Sequence, residues 1–177
     1  MTKSAAVESI ETFLELPNIE GSPAWELIEG KALQKPMPEF RHSQLQLNLV
    51  VFINQNADNF YALQELRCIV SGYAPVPDIV VALLDRLPEQ GPLRGAPDWL
   101  IEIRSPDQGT LDLQTKIIHC LNHGTQLAWL IDFIHGQVWV WQGDALPVVC
   151  SGSDQLPTLG NLPAITVDEV VAMTHRP

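Results

Sequence analysis

Two segments of the 177-residue chain share one arrangement: "VPDIVVAL" (76–83) and "APDWLIEIR" (96–104) each place a Pro-Asp pair before an apolar run. The apolar runs predict two β-strands. The second strand also carries Glu102 on the face opposite to Ile101 and Ile103, where the carboxylate should be partly buried. If the strands are antiparallel neighbours, the start of the first lies beside the end of the second, so we expect Asp78 to lie near Glu102.

Two buried carboxylates repel each other unless they share a proton or a cation, and a hard divalent cation with oxygen ligands is a usual solution. Asp98 cannot join the pair, because it lies roughly 13 Å from Glu102 along the same strand at about 3.3 Å per residue. We therefore expect Asp98 to be structural. Two alternatives remain open: Asp78 has the structural role of shaping a turn, and Glu102 has the structural role of forming a salt bridge.

The elements that must position these acids follow from hydrophobic periodicity. Helices are predicted within 8–16, 42–60, 110–124 and 167–173, and hairpins within 24–34, turning at Glu29-Gly30, and within 125–143, turning at His135-Gly136. Strands are predicted within 61–70, 77–84 and 98–104 and should form the centre of a mixed, largely antiparallel sheet; segment 150–163 should be a loop. With a helix inserted between the third strand and the final hairpin, the fold class is α+β.

Composition limits the functions to consider. The net charge is −11, with ten Lys and Arg against 21 Asp and Glu, so the overall field repels nucleic-acid phosphates. The length suits one domain over 1–177, and no apolar run predicts a membrane span or a signal peptide. Three widely spaced cysteines do not suggest a disulfide framework. We expect a cytoplasmic protein with reduced thiols.

Together with "WELIEGK" and "PEFRHSQLQLNL" upstream and a lysine in the following helix, the two Pro-Asp segments closely resemble the bacterial putative restriction endonuclease family (Uma-two-like) of the PD-(D/E)XK nuclease superfamily. The resemblance covers a nuclease core of about 25–141, and "NLPAITVDEVV" near the end is also similar. It implies a restriction-endonuclease-like fold, hydrolysis of phosphodiester bonds with Mg²⁺ or Mn²⁺, DNA as the partner, and possible homodimers.

The resemblance also implies the members of a site. Asp78, Glu102 and the backbone carbonyl of Ile103 correspond to the metal ligands. Glu26 and His42 match further polar positions of the family pattern, as metal or water-orienting groups. Because a cation at the start of a helix opposes the helix dipole, we expect His42 to be neutral.

The superfamily normally has a lysine two residues after the second acid, where this chain has Arg104. Arginine stays protonated and cannot act as a base, so Arg104 is expected to contact phosphate or form a salt bridge. The resemblance points to Lys116 as the replacement; the alternative is a solvated lysine paired with Asp112. Lys31 and Lys35, in the densest basic run, are expected to line a phosphate-binding groove with Arg104.

Two other classes of function remain open. The missing lysine after Glu102 and the negative charge both favour a nuclease fold retained as a non-catalytic binding or assembly module. A partner-binding protein that uses its tryptophan-rich hairpin would instead show an exposed apolar patch there.

Overall fold

The computed structural model describes residues 4–143 and 146–176. The helices are α1 (Ile10–Leu14), α2 (Phe40–Asn56), α3 (Thr110–Leu121) and α4 (Val167–Ala172), with a short 3-10 helix at Leu84–Arg86. The strands are β1 (Ser4–Ala6), β2 (Trp25–Ile28), β3 (Lys31–Gln34), β4 (Phe60–Gln64), β5 (Cys68–Ile69), β6 (Ile79–Leu83), β7 (Leu93–Arg94), β8 (Trp99–Ile103), β9 (Leu127–Asp132), β10 (Gln137–Trp141), β11 (Val148–Ser151), β12 (Gln155–Leu156) and β13 (Ile165–Thr166). In this described part of the chain, no helix is long and apolar enough to cross a membrane.

The main sheet has six strands in the order β11-β10-β9-β8-β6-β4. Its neighbouring strands are antiparallel except for β8 and β9, which are parallel. Parallel neighbours require a crossover, and α3 provides it. The predicted α+β class is confirmed: the sheet is mixed, mostly antiparallel and flanked by helices.

The strand predictions were wrong in two places. Segment 61–70 is not one strand, because Glu65 takes a left-handed backbone conformation (φ 51°) after β4, and β5 pairs with β7 in a separate parallel sheet. The strand β4 also lies at the edge of the main sheet rather than at its centre. The expected loop over 150–163 contains the end of β11 and all of β12. Two-residue strands such as β5 and β12 are too short to show a periodic pattern.

The two faces of β8 pack against different helices. Ile101 and Ile103 share a buried core with Leu45 and Leu49 of α2. On the opposite face Leu100 packs in a second core with residues of α3, namely Leu113, Ile117 and Cys120. Since side chains alternate along a strand, Glu102 lies on the face that is covered by α3.

The hairpin of β2 and β3 brings further polar residues to the end of β6. Glu29 (φ 50°) and Gly30 (φ 69°) form its two-residue turn, and two successive positive φ angles are the reason that glycine suits this position. The backbone of Leu27 pairs with Ala74, four residues before Asp78, through hydrogen bonds of 2.9 and 3.3 Å. The hairpin is thereby attached to the segment that leads into β6.

Candidate active site

The two predicted acids meet where β6 begins and β8 ends. Ile79 is paired with Ile101 in an antiparallel register, so Asp78 and Glu102 occupy the next opposed positions. Both side chains are buried, with relative exposures of 3% and 1%. The predicted antiparallel pairing of these strands is confirmed.

Asp78 is surrounded by donors. Its Oδ1 accepts a 2.8 Å hydrogen bond from Nζ of Lys35, and its Oδ2 accepts one of 2.7 Å from the backbone N–H of Ile103 and lies 3.3 Å from Nε2 of His42. Burial alone would raise the pKa of Asp78, but the Lys35 ammonium and the His42 contact outweigh it and hold that pKa well below its usual range. Asp78 is therefore an anion in this cluster.

Lys116 joins the other two acids of the cluster. Its Nζ lies 2.8 Å from Oε1 of Glu26 and 2.8 Å from Oε1 of Glu102. Glu26 also accepts a 2.7 Å hydrogen bond from the backbone of Val76. Burial would lower the pKa of Lys116, but the two carboxylates raise it. The alternative of a solvated Lys116 paired with Asp112 is wrong, because Lys116 is only 3% exposed.

The negative charge of Glu102 is offset by fewer neighbouring donors than that of Asp78. Burial raises its pKa to about 8; Lys116 opposes this shift and the negative charge of Asp78 adds to it. Despite the ion pair, Oε1 of Glu102 has no well-aligned hydrogen-bond donor among the residues that the structure describes. Glu102 is thus the acid at which an additional positive charge would be most stabilising.

His42 differs from the expectation based on the helix dipole. Burial would lower its pKa, but the hydrogen bond and charge of Asp78 raise it. Asp78 thus shifts the pKa of His42 upward, which is opposite to the effect that was expected from the dipole of α2. Its Nδ1 is buried and has no hydrogen-bond partner in the described part of the chain.

A cavity of about 670 Å³ lies beside the cluster and is lined by residues including Glu26, Lys35, Ser105 and Gln108. A smaller recess next to it reaches the acids, with a lining that includes Lys35, His42, Asp78, Glu102 and Ile103. Lys35 faces both spaces, whereas Lys116 lines neither. Of the two cluster lysines, Lys35 is the one that a ligand in the cavity can reach.

Other predicted residues lie at the rim or farther away. Arg104 forms an ion pair of 2.6 Å with Asp132 and donates to the carbonyl of Gln108 at 3.2 Å. Of the two roles expected for Arg104, a salt bridge is therefore present. Lys31 is exposed at the opposite end of β3 from Lys35, about 13 Å along an extended strand; its part in substrate binding stays a prediction.

One residue of the cluster was missed. Gln46 is buried and donates a 2.6 Å hydrogen bond from Nε2 to the backbone carbonyl of Asp78. It stands one helical turn after His42, between Leu45 and Leu49 on the apolar face of α2. A polar residue on that face next to a predicted site histidine was the signal that could have identified it.

The donor atoms fit a hard divalent cation with an incomplete protein shell. In the ranges 4–143 and 146–176, no group of three or more His, Cys, Asp or Glu is arranged to hold a metal ion. Mg²⁺ is usually held by one or two carboxylates, with water and substrate oxygens completing its shell. Asp78, which is anionic, and Glu102, whose charge is only partly offset by Lys116, are such a pair. The Ile103 carbonyl follows Glu102 directly in the sequence.

Comparisons with known proteins show the family of the chain and a solved structure with a similar fold. The family model described as "Putative restriction endonuclease" matches residues 10–168. The crystal structure of a putative nuclease from Anabaena variabilis is similar to the chain with a TM-score of 0.86 and 36% sequence identity, covering 94% of this chain and 99% of the other. Among curated proteins, none matches the sequence.

Proposed function

The chain belongs to the putative restriction endonuclease family, and we propose on this premise that it is an endonuclease that hydrolyses phosphodiester bonds in DNA with Mg²⁺ or Mn²⁺. One observation carries the proposal: the register of β6 and β8 opposes Asp78 and Glu102 at a recess that opens beside a cavity. A lysine faces the same space. These are the groups that metal-assisted hydrolysis of a phosphodiester requires.

Asp78, Glu102 and the carbonyl of Ile103 would hold the divalent ion. When bound, such an ion polarises a phosphoryl oxygen and lowers the pKa of water. The protein prepares the acids for this: Lys35, His42 and the backbone of Ile103 keep Asp78 ionised and oriented. Glu102, with a pKa of about 8, gains most from an added cation.

The two lysines have different proposed roles. Lys116 is enclosed by Glu26 and Glu102, so it holds these acids in place and offsets their charge. Lys35 faces the cavity, so its ammonium group is the one proposed to contact the substrate phosphate. The assignment of Lys116 as the catalytic lysine stays a prediction, and the geometry favours Lys35 for direct contact with substrate.

One observation favours a non-catalytic binding module as the second candidate. Lys35 and Lys116 are already paired with Asp78 and Glu102, so the acids are partly neutralised without a metal ion. Partner binding through the tryptophans of the β9–β10 hairpin receives less support, because Trp129 and Trp141 are fully buried. The exposed apolar residues nearby, Val148 and Val149, lie instead on the edge strand β11.

The test is cleavage of supercoiled plasmid and of single-stranded DNA with Mg²⁺ or Mn²⁺, beside Asp78→Ala and Glu102→Ala. Metal-dependent cutting that is lost in both variants would support the nuclease and its two metal ligands. Binding of Mn²⁺, measured by calorimetry, should weaken in both variants. If the folded wild type neither cuts DNA nor binds Mn²⁺, the non-catalytic module is the better description.

A further inference from the structure

The ammonium group of Lys35 lies between two carboxylates. Its Nζ is 2.8 Å from Oδ1 of Asp78 and 3.6 Å from Oε1 of Glu65, and it donates to the backbone carbonyl of Val76 at 2.8 Å. The side chain of Lys35 is only 8% exposed, whereas that of Glu65 is 36% exposed. Lys35 thus makes a close ion pair with the buried acid and a looser one with the partly exposed acid.

Glu65 lies in the same row of residues as the two proposed metal ligands. Gln64 is paired with Ile79 in the register of β4 and β6, so Glu65 is opposed to Asp78 on one side of β6, and Glu102 is opposed to it on the other side. The backbone N–H of Glu65 donates to the carbonyl of Asp78 at 3.2 Å. Its side chain lines the recess together with those of Asp78 and Glu102. Glu65 is therefore fixed at the site by its own backbone.

The backbone of Glu65 has a conformation that favours glycine. Its φ of 51° lies in the left-handed region, where the Cβ of an L-residue is too close to the following carbonyl oxygen. Such strained positions persist where the surrounding structure determines them, and they are frequent at functional sites. The carboxylate that reaches Lys35 gives a physical reason for a glutamate at this position.

Lys35 and a divalent cation would compete for the same oxygen. Asp78 is one of the proposed metal ligands, and Lys35 occupies its Oδ1, while the backbone N–H of Ile103 and the imidazole of His42 contact its Oδ2. An ammonium group at hydrogen-bond distance from a ligand oxygen repels a second cation at that oxygen. Binding of a cation at Asp78 is therefore favoured if Lys35 moves away from Oδ1.

A short movement of Lys35 would relieve this repulsion. A shift of roughly 1 Å would bring Nζ to the distance of a charge-assisted hydrogen bond from Oε1 of Glu65. The lysine stem is flexible and its three N–H donors can rotate, so the hydrogen bond with Val76 can be kept. Because Glu65 lines the recess, Lys35 would stay beside the acids after the shift. Glu65 can thus balance the charge of Lys35 while Asp78 holds a cation.

We propose that Glu65 is a positioning residue: it receives the Lys35 ammonium group when a divalent cation binds Asp78, and it holds Lys35 where it can contact the substrate phosphate. The inference deepens the proposed function and rests on Asp78 as a metal ligand. The interaction between Lys35 and Glu65 should then be stronger in the cation-bound protein than in the cation-free protein. By linkage, Glu65 should promote cation binding more strongly when Lys35 is present than when it is absent.

The test is a double-mutant cycle on the affinity for Mn²⁺, measured by calorimetry without DNA. Glu65→Gln should weaken Mn²⁺ binding at least about fivefold, and this factor should be at least about threefold smaller when Lys35 is replaced by Met. A direct attraction between Glu65 and the cation, or a merely structural effect of Glu65, would be equal in both backgrounds. Lys35→Met alone should bind Mn²⁺ more tightly than wild type, because the competing ammonium group is removed.

Glu89→Gln is the matched control. It removes the same charge from an exposed position beyond the other end of β6, and it should leave Mn²⁺ affinity within about twofold of wild type because long-range fields are screened. Thermal unfolding confirms that each variant folds. If Lys35→Met does not fold, Lys35→Gln takes its place in the cycle, since its amide group is still a hydrogen-bond donor.

Equal weakening by Glu65→Gln in both backgrounds would overturn the role of Glu65 and leave the proposed metal ligands and the nuclease unaffected. A Lys35→Met variant that binds Mn²⁺ no more tightly than wild type would also overturn the inference, because Lys35 would then not compete for Asp78. If the folded wild type binds no Mn²⁺, the inference and the proposed metal site fail together, which distinguishes this result from the other two.

Discussion

The two Pro-Asp pairs have the same local sequence but different surroundings. Each aspartate is buried, with 3% exposure for Asp78 and 4% for Asp98, and each precedes a central strand. Asp98 accepts hydrogen bonds from the backbone of Leu83 at 2.9 Å and from Gln126 at 3.3 Å, and pairs with Arg86 at 2.8 Å. All three partners lie at the ends of neighbouring elements, so Asp98 joins the sheet to its connections.

Asp78 instead lies within a cluster of charges. Its partners Lys35 and His42 come from outside the main sheet, and Glu102 lies opposite it. Neither cavity-lining set includes Asp98. A Pro-Asp pair before a strand therefore predicts a buried, hydrogen-bonded carboxylate, whereas the residue opposite it decides whether that carboxylate can do chemistry.

The two aspartates should differ most in how strongly their substitution lowers the cleavage rate. Asp78→Asn keeps the shape of the side chain and removes its charge, so cleavage by the folded protein should fall at least about a hundredfold. Asp98→Asn should leave the cleavage rate per folded molecule near the wild-type value, since it does not touch the recess. Initial rates of plasmid nicking, corrected for the folded fraction by circular dichroism, measure both. Similar losses in both variants would remove the functional distinction.

Loss of Lys116, which pairs with Glu102, and loss of Arg86, which pairs with Asp98, should lower the free energy of unfolding by different amounts. Lys116→Met leaves Glu26 and Glu102 buried without their shared cation and should lower the free energy of unfolding by about 3–5 kcal/mol. Arg86→Met should cost only about 1 kcal/mol, because Asp98 keeps two other donors. Urea unfolding in EDTA compares the two.

A double variant tests the cause of the Lys116 effect. Lys116→Met/Glu102→Gln removes one of the two unpaired carboxylates and should recover part of the lost stability. If Lys116→Met is no more destabilising than Arg86→Met, the ion pairs of Lys116 do not hold the site together.

The pH dependence of stability should distinguish the two acids within the site. The pKa of Glu102 is about 8 in the folded chain and about 4.3 when unfolded, so the folded state favours the protonated form. Its contribution to stability is present below the unfolded pKa and is lost as pH rises through 8. Asp78 has a lowered pKa, so its contribution is lost only as pH falls into the acid range.

We therefore expect the Tm of Glu102→Gln to rise relative to wild type by about 3–5 °C per pH unit between about pH 5 and pH 8 in EDTA. Thermal unfolding of both proteins across this range is the measurement. Parallel curves would show that Glu102 does not titrate differently in the folded protein.

The acidic pair of the site could be predicted from short-range features of the sequence. Alternation with a period of two identified the face of β8 that carries Glu102, and antiparallel pairing across one connection placed Asp78 beside it. The helical positions of His42 and Lys116 also followed from periodicity. By contrast, two-residue strands such as β5 contain too few residues for a pattern, so their separation from the main sheet was not predictable.

Local patterns in the sequence were sufficient to predict which carboxylates meet, because strand register depends on neighbouring segments and on burial of one face. The partners of these carboxylates depend on tertiary packing. Lys35 reaches Asp78 across 43 residues of chain, Lys116 reaches Glu26 across 90, and Arg41 reaches Thr174 across 133. Contacts at such separations depend on how the hairpin, α2, α3 and the end of the chain pack around the sheet, and no local pattern encodes that packing. This is why the ion pair of Lys35 with Asp78 was not predicted, although Lys35 also faces the cavity.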